Sequence, residues 1–156
     1  MMLRYWDANA FLGVLKREPD KNDICSAILR DAERGGSKIL TSAITFVEVV
    51  HMGRRQELTQ AAEATIAGFF ERSFIEVVAV EREIASLARE MLWRVPKLSH
   101  RDAVHFATAF QHKATILETY DPDLLDLNGE VVQGRPMRIE EPYIAQTALA
   151  FPNMLS

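Results

Sequence analysis

Asp7, Glu48, Asp102 and Asp121 are the residues of this chain whose type and placement invite chemistry. Asp7 follows the apolar "LRYW" and Asp121 follows "ILETY"; Glu48 sits in "TSAITFVEVV" and Asp102 in "KLSHRDAVHF", both near the start of a helical pattern. A carboxylate in such a place has two readings. It can cap a helix: Thr45 to Glu48 and Ser99 to Asp102 have capping-box spacing, Asp121 precedes a proline, and Asp7 could cap the helix that follows it. It can also be one donor of a cation site, because Mg²⁺ and Mn²⁺ take oxygen ligands. A cap contributes only ~1 kcal/mol and needs no charge. Two carboxylates ~5 Å apart repel by roughly 3 kcal/mol at an effective dielectric of 20. If the fold gathers all four, capping does not offset the repulsion, whereas a divalent cation does.

No other chemistry competes. Cys25 is the only cysteine, so neither an internal disulfide nor a thiolate metal site is available, and a reducing, cytoplasmic setting fits. Within the helical run "DICSAIL" it reads as a small buried hydrophobe. No His-rich spacing suggests zinc, and no Ser or Cys nucleophile elbow is present. The 156 residues, 48% hydrophobic and 26% charged, suit one soluble globular domain. A net charge of −4 argues against a protein that simply coats nucleic acid. It leaves room for an enzyme with its acids in one pocket and basic residues around it. No signal-peptide segment and no apolar run near the ~20 residues of a membrane span occur, so no membrane role is expected.

The elements that must position the acids alternate between short apolar runs and amphipathic helical ones. Strands are expected at 2–6, "KILTS", "FIEVVAV", "ATIL" and, last, "MRIEEP". Helices are expected at 8–16, around 24–32, at 45–52 and 58–71 with a break near Gly53, around 84–92, and from Ser99 to about Gln111; "DPDLL" reads as a turn or short helix. This order predicts an α/β fold, a mostly parallel five-stranded sheet flanked by helices. In such a sheet the carboxyl ends of the strands share one edge, and the four acids fall there.

Four motifs, "YWDANAFL", "TFVEVV", "SHRDAVHFATAF" and "ILETYDPDLL", together resemble the PIN-domain family, most nearly the toxin ribonucleases of VapC type. The resemblance covers roughly residues 1–140. It implies a PIN-like three-layer fold of strand order 3-2-1-4-5 and a cleft binding Mg²⁺ or Mn²⁺. It further implies cleavage of single-stranded or loop regions of RNA. By position, Asp7, Glu48, Asp102 and Asp121 would form the acidic site, with Asp7, Asp102 and Asp121 as metal ligands and Glu48 as ligand or base. Asn9 would tether the Asp7 carboxylate, Thr119 matches a hydroxyl position near the last acid, and Asp123 is a possible extra acid. A cognate antitoxin that blocks the cleft and a homodimer through the helices near Glu48 are the implied partners. His105 departs from the pattern, since an aliphatic residue is expected there; on that face a histidine reads as a hydrogen-bonded core residue.

Basic residues placed to meet RNA phosphates are Arg54, Arg55, Lys97, His100 and Arg101. The nuclease domain is expected over 1–141, and 142–156 as an extension that packs on the domain or a partner. One alternative is a non-catalytic PIN-like module that binds RNA or protein. Another is a metal-dependent phosphatase, which would want a second Asp where Asn9 stands.

Overall fold

In a computed structural model, residues 1–50 and 59–144 are described. The elements in chain order are β1 (Met2–Trp6), α1 (Ala8–Leu15), α2 (Asn22–Glu33), β2 (Ser37–Ser42), α3 (Ile44–Glu48), α4 (Gln60–Phe70), β3 (Ile75–Val78), α5 (Arg82–Arg94), α6 (His100–Gln111), β4 (Ile116–Glu118), α7 (Pro122–Leu125), β5 (Val131–Val132), β6 (Arg135–Pro136) and β7 (Ile139–Glu140). Strands β3-β2-β1-β4-β7 form one sheet, and every pairing in it is parallel. The expected α/β class and strand order are therefore observed, with β7 as the fifth strand.

The period-2 alternation of the strands divides the core into two layers. Tyr5, Leu40 and Leu117 face the layer that holds Ile84, Met91 and Phe106 of α5 and α6. Trp6, Ile39 and Ile75 face the other, with Phe11 of α1, Ile28 of α2 and Phe69 and Phe70 of α4. Phe11 is the hub of that second layer, lying edge-on to Trp6 at 5.2 Å and tilted against Phe70 at 4.9 Å.

Local chemistry ends the helices where the fold needs them to end. Thr59 and Ser99 cap α4 and α6 by accepting from Ala62 N and Asp102 N. Asp121 accepts from Asp123 N with Pro122 at the first helical position of α7. Gly35, at φ 86°, takes the left-handed turn after α2 that a side chain would resist.

Three details differ from the expected elements. Strand β4 runs on to Glu118, past the apolar "ATIL". The hairpin of β5 and β6 was not anticipated; its turn is Gln133-Gly134, both at positive φ, which suits a tight two-residue hairpin. The helix expected over 45–52 runs only from Ile44 to Glu48: Val49 and Val50 are not helical, and 51–58, with Arg54 and Arg55, lie outside the described residues. Of the expected C-terminal extension, Pro142 is buried and Tyr143 and Ile144 are half-buried, while 145–156 lies outside the described residues.

Candidate active site

The chain leaves β1 toward β2 and β3 and returns on the other side as β4, so the strand order reverses between β1 and β4. A crevice at the carboxyl ends of those two strands follows from that reversal. Trp6 pairs with Glu118 across them, which sets the next residues, Asp7 and Thr119, side by side. Thr119 Oγ1 donates to Asp7 Oδ2 at 2.5 Å and accepts from the Asp121 amide at 3.0 Å. One hydroxyl thus joins the first and last acids of the site. Asp121 in turn caps α7 through Oδ1.

Asp7 is only 3% exposed, and its Oδ1 is buried with no hydrogen-bond partner among the described residues. Burial pushes its carboxyl above the ordinary range; His105, the Thr119 hydroxyl and the nearby Ala10 amide pull it partly back. Asp102, in the first turn of α6, is pushed up to about 6, chiefly by burial and then by the Asp121 charge. Glu48 closes α3. Its expected capping box with Thr45 does not form, because Ala43 holds the N-cap position of α3. Thr45 is fully buried with its hydroxyl 2.7 Å from that of Thr41, which donates to the Trp6 carbonyl. Glu48 Oε1 instead lies 2.5 Å from His105 Nε2, and His105 Nδ1 lies 2.6 Å from the Tyr5 hydroxyl.

Asp7, Glu48, Asp102, Asp121 and Asp123 line one polar cleft of about 400 Å³, together with Asn9 and Arg101. The acids that the sequence sets far apart share one space. Asn9 is exposed and makes no hydrogen bond to Asp7 among the described residues; Thr119 does the tethering that was expected of it. Lys97, expected to meet RNA, is paired with Asp126 and, at 3.6 Å, with Asp123. His100 and Arg101 are exposed at the start of α6.

The donor set is open. Among the described residues no group of three or more His, Cys, Asp or Glu side chains is placed to hold a metal ion. The cleft offers an arc of hard carboxylate oxygens and one buried oxygen without a donor. That chemistry fits a hard divalent ion, which is usually bound through one or two carboxylates and keeps several waters.

A family model, the PIN domain, matches residues 4–130. The chain belongs to the PIN-domain family. Within it the chain is of VapC type. A VapC ribonuclease of Mycobacterium bovis and ribonuclease VapC13 of Mycobacterium tuberculosis are each 34% identical to it over 106 residues, 66% of this chain and 77% of the relative. Among solved structures, the VapBC2 complex of Rickettsia felis bound to a promoter DNA fragment has a similar fold, with TM-score 0.65 at 13% identity over 90% of this chain and 98% of that one. A toxin–antitoxin complex from Klebsiella pneumoniae matches with TM-score 0.58 at 18% identity, over 91% and 99% of the two chains. VapC20 of Mycobacterium tuberculosis, a sarcin–ricin loop cleaving toxin, matches with TM-score 0.63 at 19% identity, over 85% and 99%. This PIN domain thus carries its acids on the fold those proteins share.

The raised Asp102 has a consequence for stability. A carboxyl whose folded pKa exceeds its unfolded value contributes stability below the unfolded pKa, about 4, and loses it as pH rises through the folded one, about 6. Without divalent ions, the thermal midpoint of the PIN domain is expected to fall between pH 4 and 7 more steeply than that of Asp102→Asn. Thermal scans across that range check it, and parallel curves would contradict the assignment.

Proposed function

We propose that this chain is a divalent-metal-dependent endoribonuclease that hydrolyses RNA phosphodiesters and acts as the toxin of a toxin–antitoxin pair. The observation that carries the reading is the buried, unpartnered Asp7 Oδ1 in a cleft shared with Glu48, Asp102 and Asp121. Without a cation, that oxygen costs stability and does nothing in return.

Asp7 and Asp121, aligned by the Thr119 hydroxyl, and Asp102 beside them would hold Mg²⁺ or Mn²⁺. When bound, such an ion activates water for attack on phosphorus and offsets charge on the phosphodiester. The chain's own groups do the rest. Burial and the Asp121 charge push the Asp102 carboxyl up to about 6 in the ion-free cleft, so binding of a cation would displace its proton. Glu48 turns one carboxylate oxygen to His105 and leaves the other for the cleft. Arg101 on the rim meets the phosphates of the incoming strand, and Asp123, held by Lys97, stands beside the site as a further acid.

The relatives named as ribonucleases support the reaction, and the two toxin–antitoxin complexes of similar fold support an antitoxin that covers the cleft. A homodimer is part of the same reading. No helix among the described residues is long and apolar enough to cross a membrane. With its single, buried cysteine, the protein belongs in the reducing cytoplasm.

The test is cleavage of structured and single-stranded RNAs by the purified chain with Mg²⁺ or Mn²⁺. Cleavage is expected to stop with EDTA and return when the metal is restored in excess. Cleavage unaffected by chelation would overturn the metal-dependent reading; binding of RNA without cleavage under any metal would favour the non-catalytic module.

A further inference from the structure

We propose that Tyr5 and His105 are a buried positioning pair that presents Glu48 to the cleft and so sets the affinity of the site for a divalent cation. The inference rests on the metal-dependent reading above and adds two residues to it. Tyr5 comes from β1, His105 from α6 and Glu48 from α3, three elements far apart in the chain. The Tyr5 side chain is fully buried and His105 is 1% exposed. An imidazole so placed needs a partner at each nitrogen, and it has both: the Tyr5 hydroxyl at 2.6 Å and Glu48 Oε1 at 2.5 Å.

The hydrogens can be assigned. A phenol is protonated at neutral pH, so the Tyr5 hydroxyl can donate to Nδ1. Nδ1 as acceptor leaves the hydrogen of a neutral imidazole on Nε2, where it is donated to Glu48 Oε1. Glu48 Oε1 is thereby fixed from behind. Its charge stays available to the cleft, and Oε2 has no protein hydrogen bond among the described residues.

The same protein shows the other solution at Glu118. There an arginine meets the carboxylate at 2.7 Å, and the pair is closed off from the cleft.

Glu48 requires such support. It is the last residue of a five-residue helix, and the next residue, Val49, already leaves helical geometry. A long, flexible acid in that position loses its side-chain entropy each time it binds an ion, unless it is held beforehand. Hydrogen bonds behind a ligand commonly set metal affinity by about 10–100-fold.

Mn²⁺ binding to the full chain, measured by isothermal titration, tests the pair. His105→Leu is expected to weaken binding about tenfold or more. Tyr5→Phe should weaken it less, and His105→Gln, which keeps a donor for Glu48, should recover part of the loss. In a Glu48→Gln background, His105→Leu should cost little further, because its effect passes through Glu48. In the wild type, imidazole ¹⁵N shifts should report His105 as the Nε2–H tautomer. Equal Mn²⁺ affinity for His105→Leu and wild type, an equal loss in both backgrounds, or the Nδ1–H tautomer would each overturn the inference. A wild type that binds no Mn²⁺ overturns the nuclease reading and this inference together, so the two failures are told apart.

Discussion

Asp7→Asn is expected to abolish RNA cleavage while raising the thermal midpoint of the ion-free protein. Both effects come from one carboxylate. Asp7 is buried, one of its oxygens has no partner among the described residues, and burial already pushes its pKa up. Such a group is costly at neutral pH. A buried polar atom left unsatisfied costs about 1–3 kcal/mol, more when charged. Asparagine removes the charge and can still accept the Thr119 hydroxyl, so the alignment of β1 with β4 survives. At roughly 2–4 °C per kcal/mol for a chain of this size, the midpoint should rise by several degrees.

Cleavage should fall by about 10³-fold or more, the scale on which removing one preorganised group costs about 4 kcal/mol of the barrier. Linkage supplies a third readout. Mn²⁺ should raise the wild-type midpoint and leave Asp7→Asn nearly unmoved, because a ligand stabilises only the form that binds it. A variant that is less stable than wild type without metal would show that Asp7 is a structural cap and no part of an ion site. Thermal scans with and without Mn²⁺ decide between these outcomes.

The parts of this site that were legible in the sequence are those set by local pattern. Asp7 and Asp121 stand out in the sequence because each follows an apolar run, and Asp121 because the proline after it marks a helix start. The topology then brought them together. Glu48 was found as an acid, but its neighbourhood was misread. The Thr45 to Glu48 spacing imitates a capping box, yet Thr45 lies inside the helix and bonds to Thr41. The partner of Glu48 is His105, 57 residues away, and no local signal announces a contact of that span. The one hint was that a histidine stood where an aliphatic residue was expected. Asn9 was assigned as a tether on position alone, and the tether is Thr119, which only the pairing of β1 with β4 brings near Asp7. Arg4 and Glu118 went unremarked altogether. Each lies in a strand beside larger apolar residues, and the ion pair between them spans 114 residues.

That pair makes the second large prediction: Arg4→Met should destabilise the fold by about 3–5 kcal/mol, the usual result of leaving one buried charge without its partner. The side chains of Arg4 and Glu118 are 7% and 0% exposed. Glu118 Oε1 accepts from the Trp6 indole at 3.0 Å, and Oε2 accepts from the Tyr143 amide at 3.2 Å; Arg4 also donates to the Tyr143 carbonyl. The pair thus holds the residues after β7 against β1 and β4. Burial pushes the Glu118 carboxyl up, and Arg4 pulls it back. Without Arg4 the carboxyl takes a proton more readily in the fold. A folded pKa raised above the unfolded one means stability regained as pH falls, so the deficit of Arg4→Met against wild type should be largest near pH 8 and shrink toward pH 5. Arg4→Met combined with Glu118→Gln should recover more than half of the loss. The amide removes the buried charge, keeps an acceptor for the Trp6 indole and offers a donor to the carbonyl that Arg4 vacates, while the Tyr143 amide loses its acceptor, so the recovery stays incomplete. Chemical denaturation of the single and double variants across that pH range measures all three. A deficit that is constant with pH, and not relieved by Glu118→Gln, would mean that the lost packing of the arginine stem outweighs its charge.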